Sequence, residues 1–137
     1  MGMYPLSIAA KKQHIRESVL VRMMVGNSTI VRTDRDVNRY QWTFFIRSVK
    51  GQSLSEHIQK VEVKLDSSFN NAKVSYRPKG FDNLVVSRIG WGPITIKYTI
   101  FWKLGCVPEV TKMSHLLKLH YDNEEPIAVA LTRKFKG

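Results

Sequence analysis

The sequence predicts an all-β protein, built as an antiparallel two-sheet sandwich of seven or eight strands. Three observations predict it: the dominant hydrophobic period is two, the segments that carry this period are short, and turn-forming residues separate them. Strands with one apolar and one polar face, joined by short turns, are typical of antiparallel sheets. Because Cys106 is the single cysteine, the Cys-Trp-Cys core of antibody domains is excluded, and the sandwich is at most immunoglobulin-like.

The alternation predicts eight strands, in chain order at 19–25, 41–47, 59–65, 73–77, 84–89, 94–102, 115–121 and 127–132. The pattern is weaker in 73–77, 84–89 and 127–132. It is clearest in 94–102, where one face carries Ile94, Ile96, Tyr98, Ile100 and Trp102. Trp42 and Trp102 are assigned to the core.

Turn-forming residues place chain reversals at 26–27, 50–52, 70–71, 78–80, 90–93, 105–108 and 122–123. Cys106 is assigned to one of these loops. The length of 137 residues fits one domain, predicted over 18–137. Residues 1–17 are predicted as an N-terminal extension, with a short helix over 7–17 as its one candidate element.

Charge is the strongest signal in the composition. The chain has 22 Lys and Arg against 11 Asp and Glu, a formal net charge of +11, spread evenly along its length. Such an excess indicates a polyanionic partner, DNA, RNA or an assembly that contains them, although a merely soluble basic protein is the alternative. The chain contains no run of 18 apolar residues, the length that would predict a membrane-spanning helix, so no membrane partner is expected.

The sequence predicts a protein that is not an enzyme and has no cofactor or metal site. It contains no Gly-x-Ser-x-Gly elbow and no phosphate-binding loop. His115 and His120 lie five residues apart on a predicted strand, hence on opposite faces. Asp122, Glu124 and Glu125 are assigned to a solvated turn. The sequon at 27–29 is expected to be silent in a reducing compartment.

Two predicted loops carry the candidate binding residues. One contains Asp66, Ser68 and Phe69 after a strand, and the other contains Gly90-Trp91-Gly92 before the clearest strand. An aromatic residue on each loop could form a slot between two flat rings, with glycines that allow a ligand close to the backbone. The alternative, which spacing alone favours, is that both rings cap the core.

These segments resemble the YEATS domain, a histone-reading module. The resemblance covers about residues 18–132 and rests on the order and spacing of several motifs, of which Gly-Trp-Gly at 90–92 and His-Leu-Leu-Lys-Leu at 115–119 point to the nuclear members of the family. Further matching stretches are 25–27, 41–47, 58–65, 68–74 and 94–96. The resemblance implies an immunoglobulin-like sandwich in a nuclear protein. It also implies a subunit of a histone-acetyltransferase or chromatin-remodelling complex.

The resemblance further implies binding of acyl-lysine, acetyl or crotonyl, on a histone tail. The flat acyl-amide would lie between Phe69 and Trp91, with a hydrogen bond from Ser68. The backbone N–H of Trp91 would donate to the acyl carbonyl, and Gly90 and Gly92 would shape the loop.

The sequence departs from the family pattern at three lining positions. Asp66 replaces the pocket histidine, Ile94 replaces a common phenylalanine, and Asn38-Arg39-Tyr40 replaces a His-x-His motif, with Tyr40 as a candidate compensating residue. Three hypotheses therefore stay open. The first is an acyl-lysine reader whose basic surface adds affinity for nucleosomal DNA. The second is a subunit of a chromatin complex whose slot is degenerate, or is retuned to bind a cationic lysine. The third is a basic sandwich that binds nucleic acid directly.

Overall fold

The computed structural model describes residues 15–34, 37–67, 69, 71–80, 83–90, 94–118 and 122–135. For 15, 16, 32–34, 37–39, 134 and 135 it describes the backbone only. Within these residues the chain forms nine strands and one 3₁₀ turn at Leu54–Glu56. The strands are β1 (Ile15–Asp34), β2 (Val37–Ser48), β3 (Ile58–Lys64), β4 (Lys73–Tyr76), β5 (Leu84–Gly90), β6 (Thr95–Trp102), β7 (Cys106–Val107), β8 (Val110–Leu116) and β9 (Asn123–Phe135).

The strands form two antiparallel sheets that pack face to face, which confirms the predicted fold class. One sheet has five strands in the order β5-β2-β1-β9-β7, and the other has four in the order β4-β3-β6-β8. The order intermixes strands that are distant in sequence, as expected of a sandwich rather than of a row of hairpins.

The core lies between the two sheets and is built from the faces that the alternation predicted. Trp42, Phe44 and Tyr98 are almost completely buried, and the rings of Phe44 and Tyr98 lie 5.5 Å apart between centroids. Trp42 and Trp102 both belong to the core, as predicted. Burial of such rings removes roughly 150–250 Å² of surface each and dominates core energetics.

The predicted turn at Gly26 and Asn27 is wrong, because β1 runs through both residues to Asp34. Gly26 serves close packing instead. A Cβ at this position would lie 2.1 Å from the backbone oxygen of Asn123 in β9, so no other residue fits there without a backbone shift. Gly26 pairs with Phe45 on one side and Glu124 on the other, in the middle of the sheet.

Two further corrections concern the chain after β6. The strand predicted at 115–121 occupies Val110–Leu116 instead, with Thr111, Met113 and His115 facing inward and Lys112 outward. It ends there because Leu117 and the residue after it form other hydrogen bonds, described below. Residues 119–121 lie outside the described residues.

The turn prediction is wrong for two of its three acidic residues, because Glu124 and Glu125 pair with β1 inside β9, whereas Asp122 precedes that strand. Cys106 is a buried residue of β7 and not a loop residue. The candidate helix is wrong for residues 15–17, which belong to β1, and residues 7–14 lie outside the described residues.

Candidate functional site

The candidate site lies at the end of the sandwich where the β3–β4 and β5–β6 connections meet, here called the slot end. The first connection is closed at its base by a hydrogen bond of 2.6 Å from Leu65 N to Ala72 O. Within it, Phe69 N donates to Asp66 O at 3.0 Å, which forms a tight turn. Asn71 has a φ of 54°, a left-handed conformation that asparagine tolerates better than most residues.

Arg88 ties this connection to β5. Its Nη2 donates to the backbone oxygen of Asn71 at 3.3 Å, and its Nη1 donates to Ser87 O at 2.7 Å. Arg88 is two residues before Gly90, so the guanidinium anchors one loop beside the strand that leads into the other. From the sequence, Arg88 was placed at the start of the second loop without a predicted role. The sequence feature that could have indicated its role is a basic residue on the same face of the strand as the buried Leu84 and Val86.

Phe69 packs against the core and is half-buried. Its ring makes an edge contact with Trp42, with centroids 5.9 Å apart and an interplanar angle of 82°. A Cβ on Gly90 would lie 3.3 Å from Trp42 Nε1 and 3.5 Å from Phe69 Cζ. Gly90 thus lets the indole of Trp42 and the ring of Phe69 pack closely at this point. Phe69 caps the core, as one of the two alternatives predicted, and the slot between two rings stays a prediction.

The structure brings several of the predicted lining residues together. Tyr40 is directly opposite Gly90 in the β2–β5 register and packs half-buried against the core. Ile94 also packs half-buried against the core, and its backbone oxygen accepts a hydrogen bond of 2.9 Å from Leu117 N. Asp66 is exposed on the same turn as Phe69. Among the predicted site residues, Ser68, Trp91 and Gly92 lie outside the described residues.

A buried polar network closes the sandwich near the slot end. The side chain of Asn27 is completely buried, and its Oδ1 accepts from Lys118 N at 3.0 Å and from His115 Nε2 at 2.9 Å. Its Nδ2 donates to Lys118 O at 2.7 Å and to Thr29 Oγ1 at 3.1 Å. The amide of the sequon is therefore enclosed and engaged in the folded protein.

The network fixes the state of His115. Because the Asn27 oxygen is an acceptor, His115 carries a hydrogen on Nε2. Burial lowers the pKa of His115 below its usual range, and the charge of Lys118 adds to this, while Glu125 opposes it. His115 is therefore a neutral structural residue. Its place against the Phe44 ring, 5.4 Å between centroids, fits that role.

The described residues offer no second kind of site at this end. They contain no group of three or more His, Cys, Asp and Glu side chains that could hold a metal ion. In the same part of the chain, no helix is long and apolar enough to cross a membrane. Trp42 Nε1 is buried without a hydrogen-bond partner there. The site is thus a half-buried aromatic wall with a glycine beside it.

Comparison with known proteins gives this geometry a family. The model of the YEATS family matches residues 38–121, which include both connections of the slot end. The chain belongs to the YEATS family. The curated relatives are proteins named "Protein AF-9 homolog". The one from Schizosaccharomyces pombe is 27% identical over 72% of this chain and 46% of its own length. That from Saccharomyces cerevisiae is 29% identical over 62% of this chain and 37% of its own. The YEATS chain thus spans less than half the length of these relatives.

Solved structures share the YEATS fold at low sequence identity. The Yaf9 YEATS domain recognising an H3K122suc peptide has a TM-score of 0.70 and 21% identity, over 90% of this chain and 92% of that one. The Yaf9 YEATS domain bound to H3K27ac has a TM-score of 0.69 and 20% identity, with the same coverage. These likenesses agree with the sandwich described above.

Proposed function

We propose that this YEATS chain is a chromatin-associated reader that binds acyl-lysine, acetyl or crotonyl, on histone tails. The observation that carries the proposal is the position of Phe69, which lies half-buried against Trp42 and Gly90 at the slot end. Membership of the YEATS family supports it, as do the Yaf9 YEATS domain structures with H3K27ac and H3K122suc.

The slot would hold a neutral planar amide between two aromatic faces. Phe69 forms one wall, and we propose Trp91 as the other, with Gly90 and Gly92 shaping its loop. Ser68 would hydrogen-bond the amide, and the backbone N–H of Trp91 would donate to the acyl oxygen. Stacking contributes roughly 0.5–1.5 kcal/mol beyond buried area. An unmodified ammonium loses its hydration in such a slot, whereas a neutral amide costs less once its hydrogen bonds are made.

The anchoring of Phe69 supports selectivity as well as affinity. Its ring is fixed by the edge contact with Trp42, and its loop is fixed by Arg88 through the backbone of Asn71. A wall that is already ordered loses little conformational entropy when a ligand arrives. The half-buried side chains of Tyr40 and Ile94 would line the far parts of the slot.

Asp66 supports a second candidate, a slot for a cationic lysine. The carboxylate is exposed, and its backbone oxygen accepts the Phe69 N–H, so it stays on the same turn as the ring. A methylated ammonium could then interact with the ring by cation–π attraction and with Asp66 by charge. We rank acyl-lysine first because the family match covers both loops.

The proposed setting is the nucleus, where the chain would act as a subunit of a histone-acetyltransferase or chromatin-remodelling complex. An acylated histone tail is the proposed partner, with the other subunits of the complex. The role is binding, with no catalytic step and no cofactor. A domain kept for assembly, with a slot that binds no lysine, is the alternative that the experiment below excludes or supports.

The test compares two phenylalanines that are both half-buried. Phe69→Ala removes the proposed wall, and Phe45→Ala removes a ring from the outer face of the five-stranded sheet, where β2 pairs with β1 and β5. With an acetylated histone-tail peptide, calorimetry should give a Kd that is about tenfold or more higher for Phe69→Ala than for the unaltered protein, since stacking and apolar burial are both lost. Phe45→Ala should stay within about twofold.

A second variant and a stability measurement complete the test. Trp91→Ala should abolish binding of the acetylated peptide and change the melting temperature little, as expected of a wall carried by a loop. If Phe69→Ala and Trp91→Ala bind the peptide as the unaltered protein does, the proposal is wrong. A large loss of stability in Trp91→Ala would make that ring a core residue instead.

A further inference from the structure

The outer face of the four-stranded sheet carries a concentration of lysines. Its side chains alternate with the core residues of β3, β4, β6 and β8, and the exposed set contains one carboxylate, Glu62, among the described residues. We call this surface the basic face, and define it by Lys60, Lys64, Lys73, Lys97 and Lys112.

The strand register places three of these lysines side by side. Lys64 is directly opposite Lys73 in β4 and directly opposite Lys97 in β6. Cβ atoms of such pairs are about 4.5–5.5 Å apart, and like charges there destabilise a sheet. Neighbouring strands lie roughly 4.8 Å apart, so the row extends about 10 Å across the sheet. A repulsive row of this kind is not explained by folding.

The one carboxylate of the basic face compensates other members of it. Glu62 lies 3.2 Å from the Lys60 ammonium and 3.7 Å from that of Lys73, and these contacts lower the pKa of Glu62. Among the described residues, no carboxylate forms an ion pair with Lys64, Lys97 or Lys112.

The three lysines without an acid partner line one depression. Lys64, Lys97 and Lys112 surround a shallow cavity of about 430 Å³, together with Thr99 and Ser114. Thr99 is opposite Lys112 in the register, and Ser114 is opposite Lys97. Ammonium and hydroxyl groups are the donors that proteins use on phosphate oxygens. On the outer face of the five-stranded sheet, by contrast, Arg47 is neutralised by two bonds to Glu124.

The basic face adjoins the slot end. Lys64 is the last residue of β3, immediately before the connection that carries Phe69, and Lys73 is the first residue after it. Lys97 is the third residue of β6, close to the other connection. A polyanion on the basic face would therefore lie beside a ligand in the slot without covering Phe69.

We infer that the basic face binds the phosphate backbone of duplex DNA. The row of Lys64, Lys73 and Lys97, with Lys112 beside it, would neutralise phosphates in a sequence-independent way, because contacts to phosphate carry no base information. The inference does not depend on the acyl-lysine slot. A reader with both surfaces would bind a histone tail and the adjacent DNA together, and their affinities would reinforce each other.

The test is a triple variant with a control of equal charge. Lys64→Gln, Lys97→Gln and Lys112→Gln together remove the uncompensated lysines. Arg22→Gln, Lys50→Gln and Lys79→Gln together lower the net charge equally at exposed positions away from the basic face, the first on β1 of the five-stranded sheet and the other two in turns. Binding to a fluorescent duplex of about 20 base pairs is measured by anisotropy between about 50 and 200 mM salt.

The expected result is a change in salt dependence that is specific to the basic face. Each lost phosphate contact lowers the slope of log affinity against log salt by about 0.9, so the basic-face variant should lose about 2 to 3 in slope. Its affinity should fall about tenfold or more, and the control variant should lose less than about 1 in slope. Both should bind an acetylated tail peptide as the unaltered protein does.

Three results would overturn the inference. One is an equal loss of DNA binding in the two triple variants, which would assign the effect to net charge alone. Another is an unchanged slope in the basic-face variant. The third is a polyglutamate that competes as well as duplex DNA at equal charge, which would identify an acidic polypeptide as the partner. Thermal unfolding guards against a misfolded variant, since loss of the repulsive row should leave the melting temperature unchanged or higher.

Discussion

Replacing Asn27 with alanine should destabilise the protein far more than a substitution at a predicted turn would. Asn27 is completely buried, and its side chain forms four hydrogen bonds: two to Lys118 after β8, one to His115 in β8 and one to Thr29 within β1. Alanine would leave the Lys118 N–H and the His115 Nε2–H without their acceptor. The Lys118 carbonyl would keep its bond from Thr29 Oγ1, at 2.8 Å.

The size of the effect follows from these two lost partners. A buried donor left without an acceptor costs about 1–3 kcal/mol, and Lys118 is only partly buried. We therefore expect Asn27→Ala to lower the free energy of unfolding by about 3 kcal/mol. For a chain of this size, the melting temperature would fall by about 10 °C.

Chemical denaturation with urea, followed by tryptophan fluorescence, measures this loss. Ser28→Ala is the matched control, because Ser28 is the next residue of β1 and half-buried. It should change the free energy of unfolding by less than about 0.5 kcal/mol. A loss below about 1 kcal/mol for Asn27→Ala, or one equal to that of the control, would refute the reasoning.

Three further predictions test the site and its support. Gly90→Ala should change stability by less than about 1 kcal/mol, because crowding at Trp42 Nε1 is offset by strand propensity. It should still weaken acetyl-peptide binding several-fold, since Trp42 must shift by a few tenths of an ångström and Phe69 packs on its ring. An unaltered affinity by calorimetry would contradict this. Asp66→His should raise acetyl-peptide affinity, and no change or a loss would show that the carboxylate does not weaken the slot. Burial lowers the pKa of His115 in the folded protein below the value of about 6.5 in the unfolded chain. The free energy of unfolding should therefore be highest above about pH 6.5 and decrease as the pH falls toward the pKa of His115 in the folded protein. The urea midpoints of unfolding at about pH 7.5 and 5.5 should differ less in His115→Gln than in the unaltered protein. An equal difference in the two proteins would contradict the assignment of His115 as a neutral buried residue.

The fold class could be predicted because the alternation of apolar residues directly encodes which face of a strand is buried. Trp42, Phe44 and Ile46 on one strand, and the alternate residues of 94–102 on another, are in the core as their spacing indicated. Glycine and asparagine misled the analysis at Gly26, because their turn preference is a local property. The approach of β9, which requires a glycine, is a tertiary one.

The site was predictable to a smaller extent. The resemblance indicated the two connections, and the structure places Phe69, Gly90 and Tyr40 at one end of the sandwich. The roles of Arg88 and Asn27 were not predicted, because they depend on hydrogen-bond partners in other parts of the chain. The hydrogen bonds of Asn27 to Lys118 span 91 residues, and no local pattern encodes such a pairing.

The basic face is a further feature that could not be predicted from the sequence alone. The sequence gives the excess of positive charge but not its distribution, because Lys64, Lys73 and Lys97 are scattered along the chain. They become neighbours only through the register of β3 with β4 and β6. Strand pairing therefore turns an evenly charged sequence into a surface with a concentrated positive row.

A titration of one histone-tail peptide in four forms tests the central claim most directly. The forms are unmodified, acetylated, crotonylated and trimethylated, at near-physiological salt. Our account predicts tighter binding of the acetylated and crotonylated forms, and loss of this difference in Phe69→Ala. A preference for the trimethylated form would contradict it in favour of a cationic slot beside Asp66. Equal, weak and salt-sensitive binding of all four would contradict it by showing that the slot binds no lysine.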